Sequence, residues 1–308
     1  MFSSRKGGLD ALLDRRQPSL WSDFLSHPTL FLARKIYTWR RPSSPTAPSQ
    51  PVTVVCISDT HNCQPQLPEG DILLHAGDLT QSGSLSELQS ALDWLNRQPH
   101  RHKLVIAGNH ELILDSSSAS SGVRRSGRHE IIRWGNVTYL QDESITVKCS
   151  RGRDIKIYGS PWTPRHGNWA FQYPRTTNVW QGAIPADTDI LITHVPPKGH
   201  LDCNGFGCNF LLSELWKLRT KPCLHVFGHV HEGYGVEQAH FDEVQRAYDN
   251  LVLSGGGFLH LMYLLYAFLC TLHGSRRSMN MASTWLVNAS MVGGLRDEKR
   301  RKPIVINI

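Results

Sequence analysis

The sequence predicts a layered α/β domain, and two observations support this prediction. From Val52 onward, apolar runs of four to six residues end in polar clusters, which is typical of buried strands. Between the second and third runs, Ser84 to Arg97 carries leucines at helical spacing, with Ser84 and Glu87 placed for a capping box. Strands that alternate with helices indicate an α/β architecture with helices layered on a sheet.

The elements follow in order along the chain. The apolar runs predicted as strands span residues 52–57, 71–75, 103–106, 155–158, 190–193 and 224–227. Two later segments, 285–290 and 303–308, have the same apolar character. We expect these two segments to be closing strands of the same sheet.

Composition limits the class of protein. The chain has 308 residues, 40% of them hydrophobic and 19% charged, which supports a packed core and excludes wholesale disorder. The formal charge of +7 is spread along the chain, and we expect no nucleic-acid polymer as a partner. Seven cysteines form no CxxC pair, so reduced thiols are expected.

The first fifty residues differ from the rest. Residues 1–50 are predicted to be an N-terminal amphipathic segment and a proline-rich linker, and residues 51–308 the main domain, with an apolar insertion at about 251–280. Leu20 to Trp39 has helical apolar spacing, which fits either a peripheral amphipathic helix or a helix packed on the main domain. Residues Ser3 to Lys6 are polar or charged and no apolar run follows Met1 directly, so we expect no secretory leader and a cytoplasmic location.

Polar residues with metal-binding or acid–base chemistry follow five of the six predicted strands. Loops at the carboxyl ends of strands in α/β sheets converge on one crevice, so we expect these residues to meet. In chain order they are Asp59, His61, Asp78, Asn109, His110, His194, His229 and His231.

The residue types favour a particular kind of metal site. Carboxylate and imidazole groups together suit Mn, Fe or Zn, and the absence of Cys from these loops argues against a structural zinc site. Seven ligands exceed the needs of one ion. Two divalent ions, bridged by one carboxylate, form the arrangement that activates water for an in-line phosphoryl displacement.

The motifs DxH, GD, GNHE, a lone His and GHxH, in that order, resemble those of the calcineurin-like metallophosphoesterase superfamily from about Val52 to His231. The strings CISDTHN, GDILLHAGD, GSPWTP with NWAF, and LHVFGHVHEGYG resemble its metallophosphodiesterase branch known from brain and fetal tissue. The resemblance implies the layered metallophosphoesterase fold, with central β-sheets flanked by helices and a two-metal site at the carboxyl ends of the strands.

The resemblance also implies roles for the site residues. His110 would polarise the phosphate or protonate the leaving oxygen, and Asp78 would bridge the ions. The other implied ligands are Asp59, His61 and His231 for the first metal, and Asn109, His194 and His229 for the second. The implied activity is hydrolysis of a small phosphodiester such as a cyclic nucleotide. The alternative is a nucleotide-binding regulatory module whose similar site is nearly inactive.

Aromatic and cationic residues between the GNHE and GHxH motifs are candidates for substrate binding. Trp162, Trp169 and Arg165 are the candidates, because flat rings beside a cation suit a nucleobase attached to a phosphate. Aromatic residues that merely cover the sheet are the alternative. The segment Asp78 to Ser82 lacks the arginine of the superfamily's protein phosphatases, so the resemblance favours a small phosphate ester.

An apolar run at residues 258–272 contains only His260 and Thr271 as clearly polar residues. As a helix it would be about 22 Å long, less than the roughly 30 Å of a hydrocarbon core. We therefore expect an inserted apolar helix or hairpin. It either packs on the domain or makes a peripheral membrane contact, with Arg276 and Arg277 near the lipid headgroups.

Overall fold

The structure is a computed structural model that describes residues 20–40, 51–115, 132–149, 152–203, 205–273, 283–294 and 297–308. The chain divides into two compact units. The smaller unit comprises residues 1–41 and 243–277, and the larger comprises residues 42–242 and 278–308.

The larger unit contains fifteen strands and two α-helices among its described residues. Its first half holds β1 (Thr53–Ile57), β2 (Ile72–His75), α3 (Leu85–Asn96), β3 (His102–Val105), β4 (Val137–Tyr139), β5 (Glu143–Lys148), β6 (Asp154–Ser160), β7 (Thr163–Pro164) and β8 (Gln172–Tyr173). Its second half holds β9 (Ile190–Thr193), α4 (Asn209–Lys217), β10 (Leu224–Phe227), β11 (Gly235–Ala239), β12 (Thr284–Asn288), β13 (Val292–Gly293), β14 (Lys299–Arg300) and β15 (Ile304–Asn307).

Two sheets form the centre of this unit. One has the strand order β15-β1-β2-β3-β4, and the other has the order β11-β12-β10-β9-β6-β5. Strands β1 to β4 run parallel to one another, as do β6, β9, β10 and β12. Inward side chains of both sheets, including Val54, Cys56, Ile190 and Ile192, share one apolar core. The loops that carry the candidate ligands therefore lie at the carboxyl ends of the parallel strands in both sheets.

A helix covers the outer face of each sheet. Side chains alternate along a strand, so Val55 and Ile57 of β1 face outward and pack with α3. Ser84 caps α3 and accepts a hydrogen bond from the Glu87 N–H, and Glu87 returns the bond in a capping box. On the other sheet, Leu191 packs with α4. These layers confirm the α/β prediction.

The six predicted strands are all present, but the assignment of both closing segments to one sheet is wrong. β12 pairs parallel with β10 in the six-stranded sheet, whereas β15 pairs antiparallel with β1 in the five-stranded sheet. Both strands send apolar side chains, such as Val287 and Ile304, into the same core. Apolar patterning reports that a strand is buried, and it does not report which sheet the strand joins.

The smaller unit contains four α-helices and no strand among its described residues. Its helices are α1 (Leu20–Ser26), α2 (Pro28–Trp39), α5 (Glu243–Leu253) and α6 (Phe258–His273). The predicted helical region at 20–39 is two helices, interrupted at His27, because Pro28 disfavours helical backbone in the residue before it. The rings of Tyr37 and Tyr248 stack at 4.2 Å between α2 and α5.

The apolar run at 258–272 forms a helix, α6, which packs on α2 and α5 through Leu264 and Ala267. No helix within the described residues combines the length and apolarity that a membrane crossing requires. The linker prolines 42, 45 and 48, and also Arg276 and Arg277, lie outside the described residues. The proposed domain boundary at residue 51 stays a prediction.

Candidate metal centre

The structure brings the predicted ligands together in two overlapping groups. Four side chains offer ligand atoms that all lie within 4.8 Å of one another, and three form a second such group. The first group is Asp59, His61, Asp78 and His231, and the second is Asp78, His194 and His229. Asp78 belongs to both groups, as expected of a carboxylate placed to serve two ions.

The backbone at these positions adopts an uncommon conformation. The φ angles are 48° at Asp59, 43° at His61, 54° at Asp78 and 64° at His229, all in the left-handed region. This region is costly for residues other than glycine and is found where surrounding contacts hold the chain. Here the Asp59 N–H donates to the Gly77 carbonyl at 2.9 Å, which joins the β1 and β2 loops.

Two glycines allow the loops to approach the carboxylates. A Cβ atom on Gly108 would lie less than 3.0 Å from the Asp78 carboxylate, a distance at which the two groups would clash. A Cβ atom on Gly228 would clash with the Asp59 carboxylate in the same way. Both glycines directly precede candidate ligands in the chain, Asn109 and His229. Close approach to a carboxylate therefore requires glycine at these two positions.

The imidazole rings are oriented by hydrogen bonds on the side away from the carboxylates. Nδ1 of His61 lies 3.1 Å from the Thr80 carbonyl, and Nδ1 of His194 lies 2.8 Å from the Ala76 carbonyl. A carbonyl only accepts, so each Nδ1 carries a hydrogen and each Nε2 faces the site. Outward donation from one ring nitrogen is the arrangement that fixes metal-binding histidines.

The two rings of the first group meet at their Nε2 atoms. Nε2 of His61 and Nε2 of His231 lie 3.3 Å apart, and Nε2 of His231 lies 3.2 Å from Oδ1 of Asp59. In the second group, Nε2 of His194 lies 3.2 Å from Oδ2 of Asp78. The nitrogen and oxygen atoms that would bind divalent ions therefore face one another, so the residues fit a metal centre.

The pKa shifts at the site favour ionised carboxylates and two protonated histidines. Burial would raise the pKa of Asp59, but the hydrogen bond and charge of His231 hold that pKa well below its ordinary value. His194 lowers the pKa of Asp78 in the same way, against burial. Burial opposes the charged forms of His194 and His231, yet Asp78 raises the pKa of His194 to about 9. Asp297 and Asp59 raise the pKa of His231 to about 10.

The other two histidines of the groups are neutral near pH 7. Burial lowers the pKa of His61, although Asp78 and Asp59 oppose this effect. Burial and the charge of His194 lower the pKa of His229 to about 3. Neutral imidazole is the form that binds metal ions, so neither ring needs to lose a proton to become a ligand.

Asn109 and His110 lie beside the groups. The Asn109 side-chain oxygen is 3.1 Å from Nε2 of His194, so it is within reach of the second group. The His110 N–H donates to Oδ1 of Asp78 at 2.8 Å, and the His110 ring lies 4.6 Å from that of His61. Nδ1 of His110 lies 2.7 Å from the carbonyl of Gln81, so Nδ1 carries a hydrogen and Nε2 is left for proton exchange.

The three candidate substrate residues have different surroundings. Trp169 stacks on His110 with ring centroids 4.3 Å apart, and it remains 39% exposed. The Trp162 indole N–H instead donates to Asp142, and its ring meets the edge of Phe171 in the core. These contacts give Trp162 a packing role, and its role in substrate binding stays a prediction. The side chain of Arg165 is exposed.

Several residues near the site escaped the sequence analysis. Glu111 accepts hydrogen bonds from the backbone N–H groups of Asp78, Gly108 and Thr80, at 2.6 to 3.0 Å. Its position in the GNHE string was a signal that could have identified it. The Ser290 hydroxyl donates to Asp59 at 2.9 Å, and no sequence pattern connects these two residues.

Comparison with known proteins agrees with this geometry. The family profile described as calcineurin-like phosphoesterase matches residues 52–233. The chain belongs to the calcineurin-like phosphoesterase family. Because this match contains both ligand groups of the site, the predicted family resemblance is confirmed.

Proteins of animals and of a fungus are similar in sequence to this chain. Metallophosphoesterase domain-containing protein 1 of Homo sapiens is 41% identical over 205 residues, which cover 59% of this chain and 61% of the human protein. A UPF0046 protein of Caenorhabditis elegans is 40% identical over 209 residues, which cover 63% of this chain and 68% of the nematode protein.

A longer match involves a protein of Emericella nidulans named probable rhamnogalacturonate lyase C. It is 45% identical over 307 residues, which cover 97% of this chain but only 29% of the fungal protein. The chain thus spans less than two thirds of the length of both the fungal and the human relative. The lyase name describes that longer protein.

Proposed function

We propose that this chain is a metal-dependent phosphoesterase that hydrolyses small phosphodiesters with two divalent ions. The observation that supports this function most is the sharing of Asp78 between two groups of ligand atoms, each confined to 4.8 Å. The family profile across residues 52–233 supports the same class of reaction.

The proposed ligands follow the two groups. Asp59, His61 and His231 would hold the first ion, Asn109, His194 and His229 would hold the second, and Asp78 would serve both. Oxygen and imidazole ligands suit Mn, Fe or Zn. When bound, such ions supply positive charge that lowers the pKa of water and stabilises negative charge on phosphate oxygens.

His110 is proposed to donate a proton to the leaving oxygen. Its Nδ1–H is held by the Gln81 carbonyl, so a second hydrogen would be carried on Nε2. Stacking on Trp169 and the hydrogen bond from the His110 N–H to Asp78 limit movement of this residue. The side chain is half-buried, which keeps it within reach of a substrate.

The proposed substrate is a small phosphodiester, with a cyclic nucleotide as the preferred example. The exposed part of Trp169 offers a flat surface for a base next to His110, and the exposed Arg165 provides a cation on the same segment. His166 has a ring 6.3 Å from that of His229 and extends the candidate substrate surface. Trp162 has a packing role in this proposal.

The test is steady-state hydrolysis of bis-p-nitrophenyl phosphate by protein that has been treated with a chelator and then supplied with Mn²⁺. We expect activity that requires the metal, exceeds the activity on p-nitrophenyl phosphate, and is competed by cyclic nucleotides. Asp78→Asn should abolish it, whereas the exposed-residue control Asp187→Asn should not.

The outcomes separate the proposal from its alternative. If the protein binds metal and nucleotide but shows no turnover, the proposed enzymatic activity is contradicted and the regulatory module is favoured. Hydrolysis of the monoester alone would contradict a phosphodiesterase and leave the phosphoesterase class intact.

A further inference from the structure

The smaller unit exposes an unusual amount of apolar surface. Twelve of the sixteen large hydrophobic side chains that are exposed in the described residues belong to its helices. They are Leu20, Trp21, Leu25, Leu32, Trp39, Leu253, Phe258, Leu259, Met262, Tyr263, Tyr266 and Leu269. Exposed apolar residues are ordinary when scattered, but a cluster of this kind marks an interaction surface.

Helix α6 carries the largest share of this surface. Its buried residues, Leu264 and Ala267, lie on the face that packs on α2 and α5. The exposed residues project from the opposite face at helical spacing, with Leu259 at 80% exposure and Tyr266 at 65%. α6 itself contains no Asp, Glu, Lys or Arg, although the Glu243 carboxylate of α5 accepts a hydrogen bond from its exposed residue Tyr263.

Positive charge lies beside this apolar surface. Helix α2 contains Arg34 and Lys35 and is followed by Arg40, and neither α2 nor α6 contains Asp or Glu. Lys35 is exposed, and its ammonium group lies 5.6 Å from the centre of the Phe31 ring. Cations next to exposed aromatic and aliphatic side chains are typical of helices that bind the anionic surface of a bilayer.

We propose that the smaller unit binds the surface of a membrane that contains anionic lipid, with α6 lying in the interface. Sixteen residues of helix measure about 24 Å, shorter than the roughly 30 Å hydrocarbon core, so α6 would enter one leaflet without crossing it. Tryptophan and tyrosine side chains prefer the interface between membrane and water, and the smaller unit exposes Trp21, Trp39 and Tyr266. This inference does not depend on the proposed activity.

The chemistry favours lipid over a protein partner. Protein interfaces carry about one hydrogen bond per 100–200 Å², supplied by polar groups around an apolar centre. Among the described residues of α6, the exposed polar side chains include His260, Thr271 and the two tyrosines, and the Tyr263 hydroxyl already donates to Glu243. The apolar chains of lipids need no such hydrogen bonds.

The experiment is sedimentation of the full chain with vesicles of phosphatidylcholine alone, or of phosphatidylcholine mixed with phosphatidylserine. We expect binding to the mixed vesicles to be at least about tenfold tighter and to weaken with salt. Leu259→Glu combined with Leu269→Glu should reduce binding by at least about tenfold. Val305→Glu, on an exposed strand position of the larger unit, is the matched control and should bind like the wild type.

A second pair of variants tests the charge. Lys35→Gln should remove part of the preference for phosphatidylserine, whereas Lys148→Gln, an exposed lysine of the larger unit, should not. Circular dichroism and phosphoesterase activity without vesicles should be unchanged in all variants. Equal binding to both vesicle types would overturn the proposal. So would absence of vesicle binding together with a dimer that Leu259→Glu dissociates in light scattering.

Discussion

Oδ1 of Asp297 lies 3.2 Å from Nδ1 of His231. His231 follows β10, whereas Asp297 lies between β13 and β14, so a late segment of the chain orients a ligand of the proposed site. The Asp297 carboxylate can only accept at neutral pH, which places a hydrogen on Nδ1 and turns Nε2 towards Asp59. Arg301 also donates to the His231 carbonyl and holds the backbone of this loop.

Asp297→Asn should weaken metal binding by roughly 10- to 100-fold, because the amide keeps the shape of the side chain but loses the negative charge that makes the His231 ring a stronger ligand. Competition with a coloured chelator would measure the dissociation constant. The surface replacement Asp187→Asn should leave it unchanged. If the two variants bind metal equally well, Asp297 does not position the ligand.

Metal binding should release about two protons near neutral pH. In the metal-free protein, the pKa of His194 is raised to about 9 and that of His231 to about 10, so both rings are protonated at pH 7 and must lose a proton to become ligands. Affinity should therefore rise with pH up to about these pKa values. Calorimetry in buffers with different ionisation enthalpies would count the protons, and a count of zero would contradict this account.

Asp78→Asn should abolish turnover and lower the amount of bound metal, because one uncharged oxygen cannot hold two cations at close range. Metal analysis of the purified protein, together with the hydrolysis assay, would measure both effects. Full turnover with an undiminished metal content would show that Asp78 does not bridge two ions.

His110→Gln should slow turnover by roughly 10² to 10⁴ fold while the metal content stays near that of the wild type. The loss should be smaller for esters with good leaving groups, because these need less help from an acid. A series of substituted phenyl esters would measure this dependence. Loss of metal from the variant would instead identify His110 as a ligand.

His225→Gln should make the protein less sensitive to acid. Burial and the charge of His200 lower the pKa of His225 from 6.5 in the unfolded chain to about 3, so the unfolded chain binds an additional proton between these values. The free energy of unfolding therefore falls as the pH falls through this window. Glutamine can still donate to Thr193, which accepts from His225 at 2.8 Å and donates to the Val195 carbonyl.

Urea unfolding in the presence of a chelator would measure the difference. Between about pH 7.5 and about pH 5, the wild type should lose roughly 2 kcal/mol more stability than His225→Gln. An equal loss in both proteins would show that His225 does not contribute to the pH dependence.

The elements of the fold and the candidate ligands could be predicted from the sequence because their signals are local. Apolar runs and a capping box depend on residues that are close in the chain, and both correspond to elements of the structure. Candidate ligands such as Asp59 and His194 closely follow predicted strands, and parallel strands bring their carboxyl ends together. The roles of these ligands and the identity of the substrate stay predictions.

Tertiary structure decided which distant segments meet. Ser290 and Asp297 contact the site from beyond residue 283, and their neighbours in sequence carry no motif that indicates those contacts. Trp162 and Trp169 have the same chemistry, yet the partly buried Trp162 ring packs against the core, whereas the Trp169 ring stacks on His110. Periodicity along the chain reports that a side chain is buried, whereas its partner depends on the pairing of strands that are far apart in sequence.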